Sequence, residues 1–169
     1  MTRPRAERPA MSEYGVDTPD WEALTWEWAG ERLTANRNFW VVTVSGGGRP
    51  HALPVWGVWD DDDLQFAFSC APGSRKARNL AANPRAVVMV DDTVECISVE
   101  GAAVLVGPGD RAEQWIARYV DKYRPVQPDL DPDFLRQNAI FEFTPDRAFA
   151  VVEREDEFAT RTTRWVFAG

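Results

Sequence analysis

The clearest chemical signal in the sequence comes from five polar residues at the start of a short predicted helix: Ser74, Arg75, Lys76, Arg78 and Asn79. In the stretch PGSRKARNLAANPR, residues 72–85, Ser74 can cap a helix N-terminus, and the Asn-Pro pair can end the helix. The first turn holds Arg75, Lys76 and Arg78, although a helix N-terminus already carries about half a positive charge. A bound anion would reverse this repulsion, because backbone N–H groups, helix dipole and side chains would all attract it. The pattern therefore predicts a phosphate site. On charge pattern alone, a solvated arginine-rich turn remains the simpler interpretation.

The overall composition is that of a globular protein with one domain. The chain has 169 residues, a formal net charge of −8, and 44% apolar residues. The acidic balance disfavours nucleic acid as a partner. No apolar run approaches the ~20 residues of a membrane span, and the polar start of the chain does not resemble a signal peptide. Cys70 and Cys96 are expected to be buried free thiols. Together these features predict a cytoplasmic protein that binds neither nucleic acid nor membrane.

Several common catalytic and metal-binding patterns are missing from the sequence. The single histidine, His51, is too few for most zinc or non-haem iron sites, so no metal is expected. No Gly-x-Ser-x-Gly elbow, dinucleotide fingerprint or Walker loop occurs. The four aspartates at residues 60–63 are expected to form a solvated turn, and His51 a surface or interface position near a turn. No protein nucleophile is predicted, and if a proton donor is needed the candidates are solvent, Tyr119, Tyr123 and His51.

The order of predicted elements favours a mainly β fold with few helices. Residues 1–17 are expected to be a flexible tail, and residues 18–169 a single domain. Thr18 and Pro19 predict the start of a helix that continues to about Ala35. A long helix begins near Asp110, and a loop is expected at 124–133. Strands are expected at residues 39–45, 51–59, 64–70, 85–91, 95–107, 139–144, 147–153 and 162–167. Short connections imply antiparallel pairing, so the sequence predicts a split β-barrel of six to eight strands.

Three stretches resemble one known superfamily. RPHALPVWGVWDDDDLQFAFS and SRKARNLAANPRAVVMV lie within residues 39–106, and TTRWVF lies near the end of the chain. They are similar to the pyridoxamine 5′-phosphate oxidase-like, flavin-binding split-barrel superfamily. The resemblance is closest to its branch of deazaflavin (coenzyme F420) dependent reductases. It implies a homodimer with cofactor sites at the subunit interface.

The resemblance also implies a set of cofactor-binding residues. The implied contacts of the cofactor phosphate are Ser74, Arg75, Lys76 and Arg78. Asn79 would order that turn or contact the ligand. Ser69 and Cys70 would lie beside the ribityl chain or phosphate. Pro54, Val55 and Trp56 would lie against the ring. Arg164 and Trp165 would close the site from the partner subunit. From the residues alone, Trp56 could equally be a core or dimer contact, and Arg164 could pair with the acidic segment at residues 153–157.

The implied activity is an oxidoreductase reaction in which the cofactor carries the redox chemistry. A hydride would pass between coenzyme F420, or alternatively FMN, and a small organic substrate. The oligoglutamate tail of coenzyme F420 could meet extra arginines such as Arg78 or Arg124. Two alternatives stay open: a carrier of flavin or deazaflavin without turnover, and a structural dimeric barrel with a vacant site.

Overall fold

A computed structural model describes residues 2–168, and Met1 and Gly169, the outer ends of the predicted tail and domain, lie outside the described residues. The strands are β1 (Arg5–Glu7), β2 (Asn38–Val44), β3 (Pro50–Asp60), β4 (Gln65–Cys70), β5 (Arg85–Val90), β6 (Glu95–Leu105), β7 (Ala139–Val152) and β8 (Thr163–Val166). The helices are α1 (Trp26–Ala35), α2 (Arg75–Ala82), α3 (Asp110–Tyr123), α4 (Pro132–Arg136) and α5 (Phe158–Arg161), with a 3-10 turn at Ser12–Tyr14. Within residues 2–168, no helix combines the length and the apolar character needed to cross a membrane.

Six antiparallel strands close into a barrel, and two further strands extend it. The barrel order is β2, β3, β4, β7, β6 and β5, and β5 pairs again with β2. Strand β7 is shared, because residues 139–143 pair with β4 whereas residues 147–150 pair with β8. Strand β1 then pairs with β8. The predicted split β-barrel is confirmed.

The barrel interior and one outer face each hold a packed cluster. The alternation predicted for β4 is confirmed, since Leu64, Phe66 and Phe68 are all buried in the main core. Ala67, on the opposite face of β4, is also fully buried because α3 covers that face. The helix does so with the apolar stripe expected from its sequence, which includes Trp115, Ile116, Tyr119, Val120 and Tyr123.

The first helix begins later than Thr18 and Pro19 predict. Its N-cap is Thr25, whose side chain accepts a hydrogen bond from Trp28 N–H at 3.2 Å. The preceding segment is held instead by the end of the chain. Trp21 Nε1 donates to the Thr162 carbonyl at 2.8 Å, and Leu24 N–H donates to Thr163 Oγ1 at 2.9 Å. These tertiary bonds keep residues 21–24 out of helical geometry.

The N-terminal segment is packed on the barrel, contrary to the flexible tail expected for residues 1–17. Within residues 2–17, β1 extends the sheet beside β8, and Val16 is completely buried. The four-aspartate turn is also less solvated than expected. Asp60 is buried and pairs with Arg118 at 2.9 Å, while Asp61 Oδ1 accepts hydrogen bonds from two tryptophan indoles.

Strand β7 runs through Pro145 and Asp146, where the sequence predicted a break between two strands. Pro145 lies opposite Gly101, where the register between β6 and β7 shifts at a bulge. Proline has no N–H to donate to a neighbouring strand, and a bulge interrupts the strand hydrogen bonds at this point, so the bulge can accommodate it. The expected loop at 124–133 is also shorter, since α4 begins at Pro132.

Gly101→Ala is expected to lower the free energy of unfolding by about 1–3 kcal/mol. A Cβ atom at this position would lie 2.1 Å from the Thr144 carbonyl oxygen and 2.9 Å from Pro145 Cα, both backbone atoms that cannot move aside cheaply. Urea unfolding measures the effect. Gly47→Ala is the matched control, since no atom lies within 4 Å of its Cβ position. Equal unfolding midpoints for the two variants would contradict this account of the bulge.

Candidate functional site

The N-terminus of α2 is built as the sequence predicts. Ser74 is the N-cap, and its Oγ accepts a hydrogen bond from Ala77 N–H at 3.1 Å. The first turn contains no acidic residue. The positive end of the helix dipole and the cationic side chains therefore lie together, with no carboxylate in that turn to offset them.

A cleft of about 300 Å³ opens beside this helix start. Its lining residues are Ser45, Arg49, His51, Arg75, Arg78 and Asn79. They come from the β2–β3 hairpin, the start of β3 and the first half of α2. The structure thus joins three predicted residues of α2 to three residues that were not assigned to the site.

The arginines of the cleft have no acidic partners. Most arginines of this acidic chain form salt bridges, but none joins Arg49, Arg75 or Arg78 to a carboxylate within residues 2–168. The Arg78 guanidinium donates instead to the Gly73 carbonyl, which keeps it at the helix start. The cleft is consequently a concentration of uncompensated positive charge in a protein whose net charge is negative.

Lys76 is the most unusual group near the cleft. Only 5% of the residue is exposed, and its ammonium has no hydrogen-bond acceptor in the part of the chain that the structure describes. Burial lowers the pKa of Lys76, whereas the nearby Cys70 raises it. The charge of an ammonium on a largely buried side chain is poorly compensated without an acceptor, and a bound anion would supply the missing partner.

Ser69 and Cys70 lie next to this lysine, at the end of β4. There they pair with Ile140 and Ala139 of β7. The Cys70 Sγ accepts a hydrogen bond from Ser74 Oγ at 3.4 Å. The end of β4, predicted to lie beside the cofactor, is therefore adjacent to the start of α2 within one chain.

Asn79 fastens α2 to the barrel. Its Nδ2 donates to Thr43 Oγ1 at 2.9 Å, and both residues are buried. Thr43 is the cross-strand partner of His51. This bond holds the helix start beside the hairpin, and the role of Asn79 at a cofactor stays a prediction.

The first half of β3 has a neighbouring strand on one side only. Residues 50–56 pair with β2, but pairing with β4 begins only at Gly57. Pro54 lies exposed on this stretch, where an edge accommodates a proline. Val55 is half-buried against the main core. The barrel is thus open along the strand that was predicted to contact the cofactor ring.

Trp56 does not present a free ring to this opening. Its indole stacks on Tyr123 with ring centroids 4.5 Å apart and an interplanar angle of 5°. The Tyr119 hydroxyl donates to the Trp56 carbonyl, and Lys122 Nζ donates to the Gly57 carbonyl at 3.0 Å. Helix α3 therefore holds the edge of β3 through side chains that replace part of a strand partner.

The stability contributed by Lys122 is expected to rise with pH between about 8 and 10. Burial lowers the pKa of Lys122 from 10.5 to about 8. In this pH range the unfolded chain binds a proton that the folded protein does not, so stability increases as pH rises. Urea midpoints measured at several pH values test this, with Lys122→Met expected to flatten the rise. Lys122→Arg should also lack it, because arginine stays charged. A rise of the same size in all three proteins would contradict the assignment.

Arg164 and Trp165 are not brought to the cleft within one chain. They lie on β8, which pairs with β7 from Arg147 onward, whereas Cys70 pairs with Ala139. Eight residues of extended strand separate these positions, roughly 26 Å. Their role in closing a site from a partner subunit stays a prediction.

The contacts of these two residues are structural. Arg164 pairs with Glu7 of β1 at 2.6 Å rather than with the acidic segment at 153–157. Trp165 is completely buried and packs edge-on against Trp26, with ring centroids 5.5 Å apart. Both side chains therefore join the added strands to the barrel.

Ser45, Arg49 and His51 are the cleft residues that sequence reasoning did not assign to the site. Residues 46–48 form the hairpin turn, and the register pairs Thr43 with His51. The turn signal was visible in the sequence, but the contact between this hairpin and α2 was not. It depends on the bond between Asn79 and Thr43, which joins residues 36 positions apart.

A family model described as pyridoxamine 5′-phosphate oxidase matches residues 26–152. A search of curated proteins found no match. Among solved structures, the conserved hypothetical protein Rv2991 from Mycobacterium tuberculosis is 17% identical, with 88% of each chain covered and a TM-score of 0.65. An F420 reductase is 22% identical over 70% of this chain and 93% of that one, with a TM-score of 0.57. HutZ, the heme storage protein from Vibrio cholerae, is 19% identical over 68% and 86%, with a TM-score of 0.56.

At these identities the likeness to solved structures shows the fold alone. The family match is stronger, since it extends from the start of α1 to the end of β7 and includes every strand of the closed barrel. The chain belongs to the pyridoxamine 5′-phosphate oxidase family, as its sequence motifs and its split barrel together indicate.

Proposed function

We propose that this protein is an oxidoreductase that transfers a hydride between coenzyme F420, or alternatively FMN, and a small organic acceptor. The observation that carries the proposal is the largely buried side chain of Lys76, whose ammonium lacks an acceptor among residues 2–168 and lies beside a cleft whose arginines form no salt bridge. These groups are hydrogen-bond donors with positive charge, as a phosphate requires. The donor set therefore fits the phosphate of a flavin or deazaflavin.

The residues of α2 would hold the cofactor by its phosphate. Ser74, Arg75 and Lys76 stand at the start of α2, where backbone N–H groups and side-chain charges would act together on a bound anion. The open edge of β3 leaves room along Pro54 and Val55 for the ring. When bound, the cofactor supplies the hydride chemistry, and the protein orients it and excludes water.

The tyrosines near the opening are held as hydrogen-bonding groups rather than acids. Burial raises the pKa of Tyr123 to about 12, and burial raises the pKa of Tyr119 well above its ordinary value. The hydroxyls of both tyrosines bond to the backbone of β3. They would therefore keep their protons at neutral pH and position the strand, in line with chemistry carried by the cofactor.

The number of unpaired arginines favours coenzyme F420 over FMN. A single phosphate can be held by Ser74, Arg75 and Lys76, which leaves Arg49 and Arg78 with unused charge in the same cleft. The oligoglutamate tail of coenzyme F420 adds carboxylates that these side chains can bind. Arg124 is exposed and lies at the end of α3, where it could reach a longer tail.

A homodimer is part of the proposal. Trp40 of β2 is 43% exposed and lies directly opposite the exposed Pro54 of β3, so both side chains are on the same face of the sheet. Exposed apolar groups on neighbouring strands are typical of an interface. A second copy covering them would lie beside the open edge of β3, which supports a cofactor site between subunits.

Haem is the competing ligand, because the similar structure HutZ is described as a heme storage protein. Its propionates would meet the same arginines, and His51 could approach its iron. A carrier role for flavin or deazaflavin is the second alternative. Both alternatives predict binding without reduction of an acceptor.

Titration of the purified protein with coenzyme F420, FMN and haemin separates these possibilities. The proposal expects saturable quenching of deazaflavin fluorescence, weaker binding of FMN and no stoichiometric haem spectrum. Oxidation of reduced coenzyme F420 by a panel of quinones, enones and nitro compounds should then be accelerated by the protein. Tight haem binding with no flavin or deazaflavin binding would overturn the proposal, and binding without turnover would indicate a carrier.

A further inference from the structure

His51 is placed in the cleft without a partner for one of its ring nitrogens. Its Nδ1 is buried and makes no hydrogen bond in the part of the chain that the structure describes. His51 also lines the cleft together with Arg75 and Arg78. A buried polar atom without a partner is unfavourable, so the position is incomplete in the free protein.

The charges that act on His51 are cationic. Burial lowers the pKa of His51 below its ordinary value, and the charges of Lys76 and Arg75 on α2 act in the same direction. Arg49 and Arg78 line the same cleft, and the opposite residue of β2, Thr43, is uncharged. At the end of β4, Cys70 lies near Lys76. The imidazole is therefore neutral at pH 7 while the cleft holds no anion.

We propose that anion binding in this cleft is coupled to protonation of His51, and that the imidazolium ring donates a hydrogen bond to the bound anion. A bound dianion would offset the nearby cations and favour the imidazolium form, whose two ring nitrogens are both donors. His51 thereby becomes a cofactor contact whose strength depends on pH. The inference rests on the anion site of the proposed function, but not on which cofactor occupies it.

The direction of the pH effect follows from the linkage between proton and anion binding. Binding of the anion raises the pKa of His51, so a proton is taken up at pH values between the free and bound pKa. Affinity for a dianion should therefore increase as pH falls through that interval. Sulfate is the appropriate probe, because it stays doubly charged across this range and only the protein can titrate.

The single histidine makes the test direct. Untagged protein labelled uniformly with 15N, which reports both the imidazole of His51 and the backbone of α2, is titrated between pH 5 and 8 by NMR, with sulfate and with chloride at equal ionic strength. We expect sulfate to raise the pKa of His51 by about one unit, equivalent to about tenfold tighter binding to the protonated form. In Lys76→Met the free pKa should be higher, since one repelling charge is gone, and the sulfate shift should be smaller.

The outcomes separate this inference from the proposed function. If sulfate perturbs the backbone signals of α2 but leaves the pKa of His51 unchanged, the coupling is wrong. No response of α2 to sulfate would overturn it as well. If sulfate shifts the pKa of His51 as expected but neither coenzyme F420 nor FMN binds, the coupling stands and the proposed function fails.

Discussion

Lys76→Met is expected to weaken the binding of coenzyme F420 or FMN by roughly 10- to 150-fold without destabilising the fold. A hydrogen bond to a charged group contributes about 1.5–3 kcal/mol when the partner is present, which corresponds to that range of affinity. In the free protein the Lys76 residue is 5% exposed, and its ammonium has no acceptor within residues 2–168. Methionine has a similar length and no charge to bury, so the unfolding midpoint of the variant should equal or exceed that of the native protein.

Fluorescence titration of the deazaflavin and urea unfolding measure the two effects on one preparation. Arg147→Met is the control, because it removes an exposed cation on β7 whose only salt bridge among the described residues is a 3.7 Å pair with Glu100. That variant should bind the cofactor as the native protein does. A Lys76→Met protein that keeps native affinity would show that the ammonium does not contact the ligand. A marked loss of stability would show that the lysine has a structural role instead.

Trp165→Ala is expected to lower the free energy of unfolding by about 3–5 kcal/mol, the range for large-to-small changes of a buried tryptophan. The side chain has no exposed surface and packs against Trp26 and the barrel core. The loss should appear as a lower urea midpoint in the absence of any cofactor.

Trp165→Phe separates the loss of packing from the loss of the indole N–H. The Nε1–H of Trp165 is buried and has no hydrogen-bond partner in the described part of the chain. Phenylalanine removes this unsatisfied donor, which offsets part of the lost packing, so the variant should lose only about 1 kcal/mol. Unchanged stability of Trp165→Ala combined with weaker cofactor binding would restore the cofactor-closing role inferred from the sequence.

The strands were predictable because their side chains alternate and their connections are short. The β4 pattern of Leu64, Phe66 and Phe68 matches the buried face, and the N-cap at Ser74 lies where the local signal puts it. The start of α1 could not be predicted in this way. Thr18 and Pro19 are a good local start signal, but hydrogen bonds to Thr162 and Thr163 at the other end of the chain override it.

The candidate site was predictable only in part, because some of its residues are brought together by contacts between distant parts of the chain. The cations of α2 are contiguous in sequence, so their role could be inferred from one short stretch. Arg49 and His51 join them through the packing of a hairpin on a helix, which no local pattern reports. The stacking of Trp56 on Tyr123 likewise depends on where α3 packs.

A crystal structure of the protein with coenzyme F420, and a second with FMN, would show directly whether the start of α2 binds the cofactor phosphate. We expect a phosphate oxygen within hydrogen-bond distance of Lys76 Nζ and of the backbone N–H groups in the first turn of α2. It also predicts the ring along the open edge of β3, near Pro54. A cofactor bound elsewhere, with the cations of α2 directed into solvent, would contradict it.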